Sequence, residues 1–348
     1  MSRNRIVTTA IVFSLLLAAC GGDTQEKPES IVLLTHDSFA VSEGVFEQFE
    51  SETGVAVQVL RGGDAGTMVS QAILTKDSPV ADVMYGVDNT FLSRALSAGI
   101  FLPYEAAGSN RLVPGLAVDE HVTPIDFGDV CLNYDKAALA AANLAIPASL
   151  RDLVDEAYRA QLVVENPATS SPGLAFLLAT IASFPDDSAY SWREFWADLR
   201  DNDVLVARDW NTAYYSEFAG GGSGTRSLVV SYASSPPAGV IFSDPPPAVA
   251  PTGVVLPGCF RQIEYAGVLA GTEAEPWARQ LIDFMLTTTF QEDMPLNMFV
   301  FPAVADAALP EAFVEHTEIP AAPASLAPDV IDADRERWIE EWTEIMRS

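Results

Sequence analysis

Strands and helices alternate along residues 31–98, and this alternation limits the possible folds more than any other feature of the sequence. Apolar runs at residues 31–34, 55–60 and 81–85 are typical of buried strands, and each is followed by a segment with helical spacing of its apolar residues. Strands that alternate with helices in this way form a mostly parallel sheet covered by helices. The first part of the chain therefore predicts an α/β lobe.

The alternation returns in the second half of the chain after an interruption. Residues 122–125 and 130–134 are predicted to be two extended segments, and residues 259–269 a long strand that leads back. Three further strands are predicted near residues 162–164, 204–206 and 228–231. A chain that leaves one α/β lobe through extended segments and returns through another forms two lobes joined by a hinge, and such lobes close around a ligand. We therefore predict a two-lobed α/β fold.

The first twenty residues have the features of an export signal. Two arginines precede an apolar run over residues 6–17, which is too short to span a membrane. Small residues then precede Cys20, a pattern similar to the lipobox of bacterial lipoproteins. We expect residues 1–19 to be removed as a signal peptide, Cys20 to carry a lipid, and residues 20–29 to form a flexible tether. The alternative is an ordinary signal peptide with an incidental cysteine.

The chain is strongly acidic. Lys and Arg together number 19 against 48 Asp and Glu, which gives a formal net charge of −29. This charge opposes nucleic-acid binding, because that binding depends on neutralising phosphates. It attracts cations, although solubility or adaptation to salt explains the same composition. We therefore expect no nucleic-acid partner.

Export also decides how Cys131 and Cys259 are interpreted. Both lie at the start of predicted strands, and an oxidising compartment favours the pairing of two such thiols. We predict a disulfide between them, and two free buried thiols are the alternative. The three histidines, His36, His121 and His316, show no spacing typical of a metal site, so no metal is expected.

The sequence contains no evident catalytic constellation. Gly222-Ser223-Gly224 lacks the glycine spacing of a nucleophile elbow, and residues 220–224 are not followed by the Lys-Ser/Thr of a phosphate-binding loop. We therefore expect a binding protein that uses no cofactor, and not an enzyme. An exported hydrolase that uses carboxylates is the alternative from a different class.

Seven short motifs follow one another along the chain, and several lie at the ends of predicted strands, where open α/β sheets bind ligands. They are Thr35-His36-Asp37-Ser38-Phe39, Ala81-Asp82-Val83 with Gly86-Val87-Asp88-Asn89, Pro124-Ile125-Asp126-Phe127-Gly128, Tyr134-Asp135-Lys136, Thr169-Ser170-Ser171-Pro172-Gly173, Ser231 to Pro236, and Trp338 with Trp342. In this order they resemble the thiamine-binding components of bacterial ABC importers, a family of periplasmic-type solute-binding proteins related to ferric-ion-binding proteins. The resemblance covers nearly all of the chain that follows the signal peptide.

The resemblance implies a fold, a function and partners. The fold is the two-lobed α/β fold of type II periplasmic binding proteins, with a mostly parallel sheet flanked by helices in each lobe. Residues 30–128 and 260–302 are assigned to the first lobe, residues 129–259 to the second, and residues 303–348 to C-terminal helices that pack on the lobes. The implied function is that of a monomeric, lipid-anchored protein outside the cytoplasmic membrane or in the periplasm. It captures thiamine, or thiamine mono- or diphosphate, and delivers it to a permease driven by an ATPase.

The resemblance also assigns a ligand site. The family's contacts fall on Asp64, Ala65, Ser170, Ser171, Trp210, Tyr232, Ala233, Ser234, Ser235, Pro236 and Phe299. Aromatic faces attract flat cations, so Trp210, Tyr232 and Phe299 are expected to stack on the ligand, with Tyr215 in reserve. Asp64 is expected to balance the positive charge. The paired serines, near a predicted helix start, are expected to bind a hydroxyl or a phosphate ester.

His36 is also assigned to the ligand site. Three positions of the site differ from the family, and each residue taken singly also fits an ordinary packing role. His36 stands where the family has Tyr, Ala65 where it has Gly, and Phe299 where its best-known form has Trp. Ferric-ion capture is the alternative function, because Tyr214 and Tyr215 resemble the paired tyrosines of iron-binding relatives. In that case His36 and nearby carboxylates would complete the metal site.

Overall fold

The computed structural model describes residues 26–348, so the expected signal peptide, Cys20 and most of the tether lie outside the described residues. The strands are β1 (Ser30–Thr35), β2 (Ala56–Arg61), β3 (Val83–Asp88), β4 (Phe101–Leu102), β5 (Thr123–Asp135), β6 (Leu162–Glu165), β7 (Leu205–Ala207), β8 (Leu228–Tyr232), β9 (Thr252–Leu269) and β10 (Phe301–Pro302). Within residues 26–348, no helix combines the length and the apolar character that crossing a membrane requires.

The helices flank the strands on both faces. They are α1 (Glu47–Thr53), α2 (Ala65–Leu74), α3 (Leu92–Ser97), α4 (Lys136–Ala141), α5 (Ser171–Ser183), α6 (Trp192–Asp201), α7 (Ala238–Ile241), α8 (Glu275–Met285), α9 (Thr288–Gln291), α10 (Met294–Asn297), α11 (Glu311–His316) and α12 (Pro328–Arg347). A π-helical turn spans Thr212–Glu217.

The strands form one sheet in the order β2-β1-β3-β9-β5-β8-β6-β7, with β4 beside β9 and β10 beside β5. The outer strands pair in parallel on both sides, whereas β5 and β9 run antiparallel to each other and to their neighbours. We call the part built on β2-β1-β3 the first lobe and the part built on β8-β6-β7 the second lobe. The central pair β5 and β9 belongs to both and joins them. The exact lobe boundaries derived from the sequence stay predictions.

The central strands are longer than the sequence indicated. The two predicted extended segments are one strand, β5, and the return strand begins at Thr252, before the predicted start at residue 259. The apolar pattern of β5 is interrupted by Asp126 and Asp129, yet both are fully buried. Tyr85 donates a hydrogen bond to Asp126, and Arg261 pairs with Asp129, so the strand continues through its polar residues.

A disulfide joins the two central strands where their register shifts. The sulfur atoms of Cys131 and Cys259 are bonded in the structure. Val130 faces Phe260 and Leu132 faces Val255, so a single residue of β5 lies opposite four residues of β9. The bond therefore fastens one end of this bulge to the facing strand.

The last helix, α12, packs on both lobes. Trp342 contacts Trp196 of α6 in the second lobe, edge to face, with ring centroids 5.5 Å apart. Toward its other end, the buried Arg335 donates to the Thr90 carbonyl oxygen at 3.4 Å and to Ser93 Oγ at 3.2 Å, both in the first lobe. The C-terminal segment therefore contacts both lobes, through aromatic packing on the second lobe and through hydrogen bonds on the first.

Candidate ligand-binding site

A cavity lies between the two lobes, at the carboxyl ends of the parallel strands. The cavity itself has a volume of about 130 Å³, and the larger space that extends to its open mouth is about 860 Å³. Its walls are formed by His36, Ser38, Asp64, Ala65, Ser171, Pro172, Trp210, Tyr214, Tyr215, Tyr232, Ser235, Ala238, Phe242, Glu264, Asn297, Met298, Phe299 and Val300. Both lobes contribute, so the cavity depends on how the lobes approach each other.

Most of the residues predicted from the sequence line this cavity. They are His36, Asp64, Ala65, Ser171, Trp210, Tyr215, Tyr232, Ser235 and Phe299. Ser170 is buried beside Asp64, and Ser234 donates a hydrogen bond to the Phe299 carbonyl oxygen at 2.5 Å. Ala233 packs against the disulfide, and Pro236 lines a separate surface pocket with Lys136. These four residues, Ser170, Ala233, Ser234 and Pro236, lie outside the cavity walls.

Several wall residues were not predicted from the sequence. They include Phe242 and Glu264, and also Asn297 and Met298, which directly precede the predicted Phe299. Glu264 carried a usable signal, because it is the one acidic residue in the otherwise apolar run of residues 263–269. A charged residue inside an apolar strand indicates a special environment.

The aromatic wall of the second lobe is organised by Trp210. Its indole stacks on Tyr214, with centroids 4.9 Å apart and planes 18° apart, and Tyr215 meets both rings edge-on. Trp210 Nε1 donates to Ser231 Oγ at 3.1 Å. The π-helical turn that follows Trp210 carries both tyrosines, and such turns are frequent at functional sites. The arrangement presents a rigid aromatic surface to the cavity.

Tyr232 and Phe299 extend the aromatic surface toward the hinge and the first lobe. The Tyr232 hydroxyl donates to Gln262 Oε1 at 3.2 Å, and a Cβ atom at Gly128 would lie 2.9 Å from Tyr232 Cδ1. Glycine at position 128 is therefore required for this ring position. Phe299 has a φ of 55°, a left-handed conformation that bulky residues rarely adopt, and such strain is typical of functional sites. The bond from Ser234 holds it in place.

Asp64 is the acidic group at the start of α2. Its Oδ1 accepts from the Ala65 N–H at 3.0 Å, so it serves as the N-cap of the helix. Burial raises its pKa to about 6, although the Ser170 hydroxyl and two backbone N–H groups act in the opposite direction. Asp64 is therefore ionised at neutral pH and takes up a proton in mildly acidic solution.

The surroundings of Asp64 are acidic as well. Glu165 is buried close by, and neither of its carboxyl oxygens has a hydrogen-bond partner. Burial raises the pKa of Glu165, and the charges of Asp64 and Asp209 raise it further. In the described part of the chain, the cavity walls contain neither Lys nor Arg. The field in this cavity therefore suits a cation.

A second acidic cluster lies at the hinge. Asp126 of β5 faces Glu264 of β9, and the Tyr85 hydroxyl lies 2.5 Å from Asp126 Oδ2 and 3.4 Å from Glu264 Oε2. His36 Nε2 lies 3.4 Å from Glu264 Oε1. Burial lowers the pKa of His36 to about 4, and the charge of Arg61 lowers it further, so the imidazole is neutral at pH 7. Over residues 26–348, no group of three His, Cys, Asp or Glu side chains is placed to hold a metal ion.

Direct contacts hold the lobes together around the cavity. The Gly66 N–H donates to the Thr169 carbonyl oxygen at 3.0 Å, and Ser38 Oγ lies 3.4 Å from Asn211 Oδ1. The bond from Ser234 to the Phe299 carbonyl also crosses between the lobes. The structure is therefore in a closed arrangement.

Replacing Gly66 with alanine tests this closed arrangement. The new Cβ would lie 2.9 Å from the Ala168 carbonyl oxygen and 3.0 Å from that of Thr169, across the interface between the lobes. We expect ligand affinity to fall by about tenfold, since overpacking costs about 1–3 kcal/mol. The Phe91 ring is also close, so the unfolding temperature is measured beside the calorimetric titration. Thr67→Ala, one residue further along the helix and exposed, is the control, and equal affinities for the two variants would contradict the prediction.

Comparisons with known proteins agree with this architecture. The thiamine-binding periplasmic protein of Escherichia coli (strain K12) is 29% identical over 331 residues, which cover 94% of this chain and 96% of that protein. A solved periplasmic thiamin binding protein is 26% identical with a TM-score of 0.81, and the match covers 91% of this chain and 96% of the other. Iron-bound HitA from Pseudomonas aeruginosa is 18% identical with a TM-score of 0.73, covering 91% and 99%, and shows the fold alone.

The fold and the cavity define a two-lobed binding protein of the type II periplasmic class, as the sequence predicted. The chain matches the bacterial extracellular solute-binding protein family over residues 78–321 and belongs to it. It is thus an exported solute-binding protein of an ABC importer, with a small-molecule ligand and a permease as partners. The family consists of solute-binding proteins and not of enzymes, which confirms that expectation.

Proposed function

We propose that this protein captures thiamine between its two lobes. The observation that carries the proposal is the composition of the cavity walls. Trp210, Tyr232 and Phe299 surround a space that also contains the carboxyl group of Asp64. Thiamine is a flat aminopyrimidine joined to a cationic thiazolium, and aromatic faces together with a buried carboxylate stabilise such a cation. The relatives named for thiamine support the same ligand.

Capture is coupled to delivery through lobe closure. Closed lobes around the ligand let the permease distinguish the loaded protein from the empty one. We propose that the protein is a monomer, held by a lipid on Cys20 at the outer face of the cytoplasmic membrane or in the periplasm. Mass spectrometry of the mature protein is expected to show an acylated Cys20 as its first residue, and an unmodified N-terminus would contradict the anchor.

Isothermal titration calorimetry tests the ligand directly. Thiamine, thiamine monophosphate and thiamine diphosphate are titrated separately into the unliganded protein, and thiamine is expected to bind with a micromolar or lower Kd. The result ranks the free alcohol against its phosphate esters, for which Ser170 and Ser171 at the start of α5 are the candidate partners. Absence of binding by all three compounds at micromolar concentrations would overturn the proposal.

Ferric-ion capture is the second candidate, because Tyr214, Tyr215 and His36 line the same cavity. Burial raises the pKa of both phenols, which opposes the tyrosinate form that iron requires. We therefore expect no tyrosinate charge-transfer band when ferric citrate is added. A coloured complex that thiamine cannot prevent would favour iron.

The proposed role of Asp64 predicts a pH dependence. The pKa of Asp64 is about 6 in the folded protein, and a cation binds best to its ionised form. Thiamine affinity is therefore expected to fall by up to about tenfold per pH unit below pH 6. Asp64→Asn keeps an N-cap and should remove this component, leaving any dependence that belongs to the ligand itself. Parallel pH profiles for the two proteins would contradict the assignment.

Asp64 also makes the stability of the unliganded protein depend on pH. Low pH weakens thiamine binding, but it raises the contribution of Asp64 to the free energy of unfolding. Asp64 has a pKa of about 6 when folded against 3.8 as its ordinary value, so the folded state binds the proton more tightly. Its contribution to the free energy of unfolding is therefore largest below pH 4 and is lost as the pH rises through 6. Thermal unfolding of the unliganded wild type and of Asp64→Asn between pH 4 and pH 7 measures this contribution.

A further inference from the structure

We propose that the carboxyl group of Glu264, in its acid form, recognises the aminopyrimidine edge of the ligand. Its hydroxyl donates to the ring nitrogen beside the amino-bearing carbon, and its carbonyl oxygen accepts from the amino group. This inference rests on the proposed function, because it requires a ligand with such an edge. It makes Glu264 a specificity-determining residue, whereas Asp64 responds to the positive charge.

The position of Glu264 fits direct recognition. It lies on the central strand β9 at the hinge, and its side chain lines the cavity although the residue is only 5% exposed. A polar group this deeply buried is costly unless it has a partner. The hydroxyl of Tyr85 lies 3.4 Å from one carboxyl oxygen, and the neutral His36 lies 3.4 Å from the other. Both distances are long, and the remaining side-chain hydrogen bond of Glu264, with Asp126, is the one that the ligand would replace.

The neighbours of Glu264 keep it in the acid form. Asp126 faces it across the strand pair, and Tyr85 has a single O–H, which lies nearer to Asp126, at 2.5 Å. Among residues 26–348, neither Lys nor Arg forms an ion pair with either carboxyl group. Two carboxyl groups placed together without a cation cannot both ionise at low cost, so the pair retains a proton. Burial raises the pKa of Glu264, and the charges of Asp126 and Asp88 raise it further.

A carboxylic acid and an aminopyrimidine have matching edges. The acid presents one donor and one acceptor side by side, and the pyrimidine presents a ring nitrogen acceptor beside an amino donor. An ionised carboxylate has no proton to give and would face the lone pair of the ring nitrogen. Glu264, Tyr232 and Asp64 line the same cavity. The two ends of thiamine therefore have separate partners.

An analogue of thiamine in which hydrogen replaces the amino group provides the test, because it keeps the ring nitrogen and lacks the amino donor. The wild type is expected to bind thiamine about 10- to 100-fold more tightly than this deamino analogue by calorimetry. Glu264→Gln presents the same donor and acceptor and should retain the preference. Glu264→Ala should lose it, mainly through weaker thiamine binding. Glu165→Gln, a buried acid outside the cavity walls, is the control and should leave the ratio of the two affinities unchanged.

The outcomes separate this inference from the proposed function. Equal and tight binding of both compounds by the wild type would overturn the role of Glu264 and leave thiamine capture intact. Loss of the preference in Glu264→Gln would show that charge matters and would overturn the acid form. Absence of thiamine binding by the wild type would overturn both proposals. If Glu264→Ala does not fold, the wild type and Glu264→Gln still decide the question.

Discussion

Replacing Trp210 with alanine is expected to weaken thiamine binding by about 30-fold or more, because a desolvated cation–aromatic contact contributes about 2 kcal/mol. The indole lies on Tyr214 and donates to Ser231, so its position is fixed before the ligand arrives. Preorganisation of this kind raises affinity because little side-chain entropy is lost on binding. Calorimetry measures the change, since the variant lacks the indole that a fluorescence titration would follow.

Trp277 supplies the matched control for this experiment. It is also a half-buried tryptophan, but it lies on α8 and packs against the core of the first lobe, away from the cavity. Trp277→Ala is expected to lower the unfolding temperature while thiamine affinity stays at the wild-type value. Trp210→Phe should fall between the wild type and Trp210→Ala, because a smaller aromatic face remains. Wild-type affinity in Trp210→Ala would refute the aromatic site.

Removing the disulfide is expected to lower the free energy of unfolding by about 2–5 kcal/mol. Cys131 and Cys259 are 128 residues apart in sequence, so their bond closes a long loop and restricts the unfolded chain. The double variant Cys131→Ala/Cys259→Ala, unfolded in guanidinium chloride, measures the loss. The reduced wild type is the control and should match the double variant. Equal stability of the oxidised and reduced wild type would contradict the prediction.

The disulfide is also expected to affect the ligand site weakly. It lies on the second-lobe side of the hinge, and Ala233, next to the wall residue Tyr232, packs against it. Thiamine affinity of the double variant should therefore stay close to the wild-type value at temperatures where the protein is folded. Comparing the affinity and the stability of the double variant therefore separates a role of the disulfide in stability from a role in ligand binding.

The sequence predicts those site residues whose position follows from the local sequence around them. Asp64 and Trp210 follow strand ends, where parallel sheets collect their ligand residues, and both line the cavity. Ala233 and Pro236 belong to a segment that also reaches the cavity, yet they lie outside its walls, because the chain turns after β8 and successive side chains of the turn point in different directions. A motif places a segment at a site without deciding which of its side chains face the ligand.

The parts that the sequence did not predict depend on long-range pairing. Glu264 meets Asp126 only because β9 runs beside β5, and this pairing joins residues far apart in the chain. The polar residues of β5 concealed its length, because their partners, Tyr85 and Arg261, come from other strands. Phe242 and Phe299 likewise meet across the two lobes, with ring centroids 5.7 Å apart. Periodicity carries no information on such partners.

The last helix limits how the cleft can open. It contacts α6 through the Trp196–Trp342 pair and through the ion pair between Arg193 and Glu341. It contacts the first lobe through the hydrogen bonds of Arg335 to the Thr90 carbonyl oxygen, just before α3, and to Ser93 of α3. Because α12 contacts both lobes, an opening of the cleft about the central strands has to break one of these two sets of contacts.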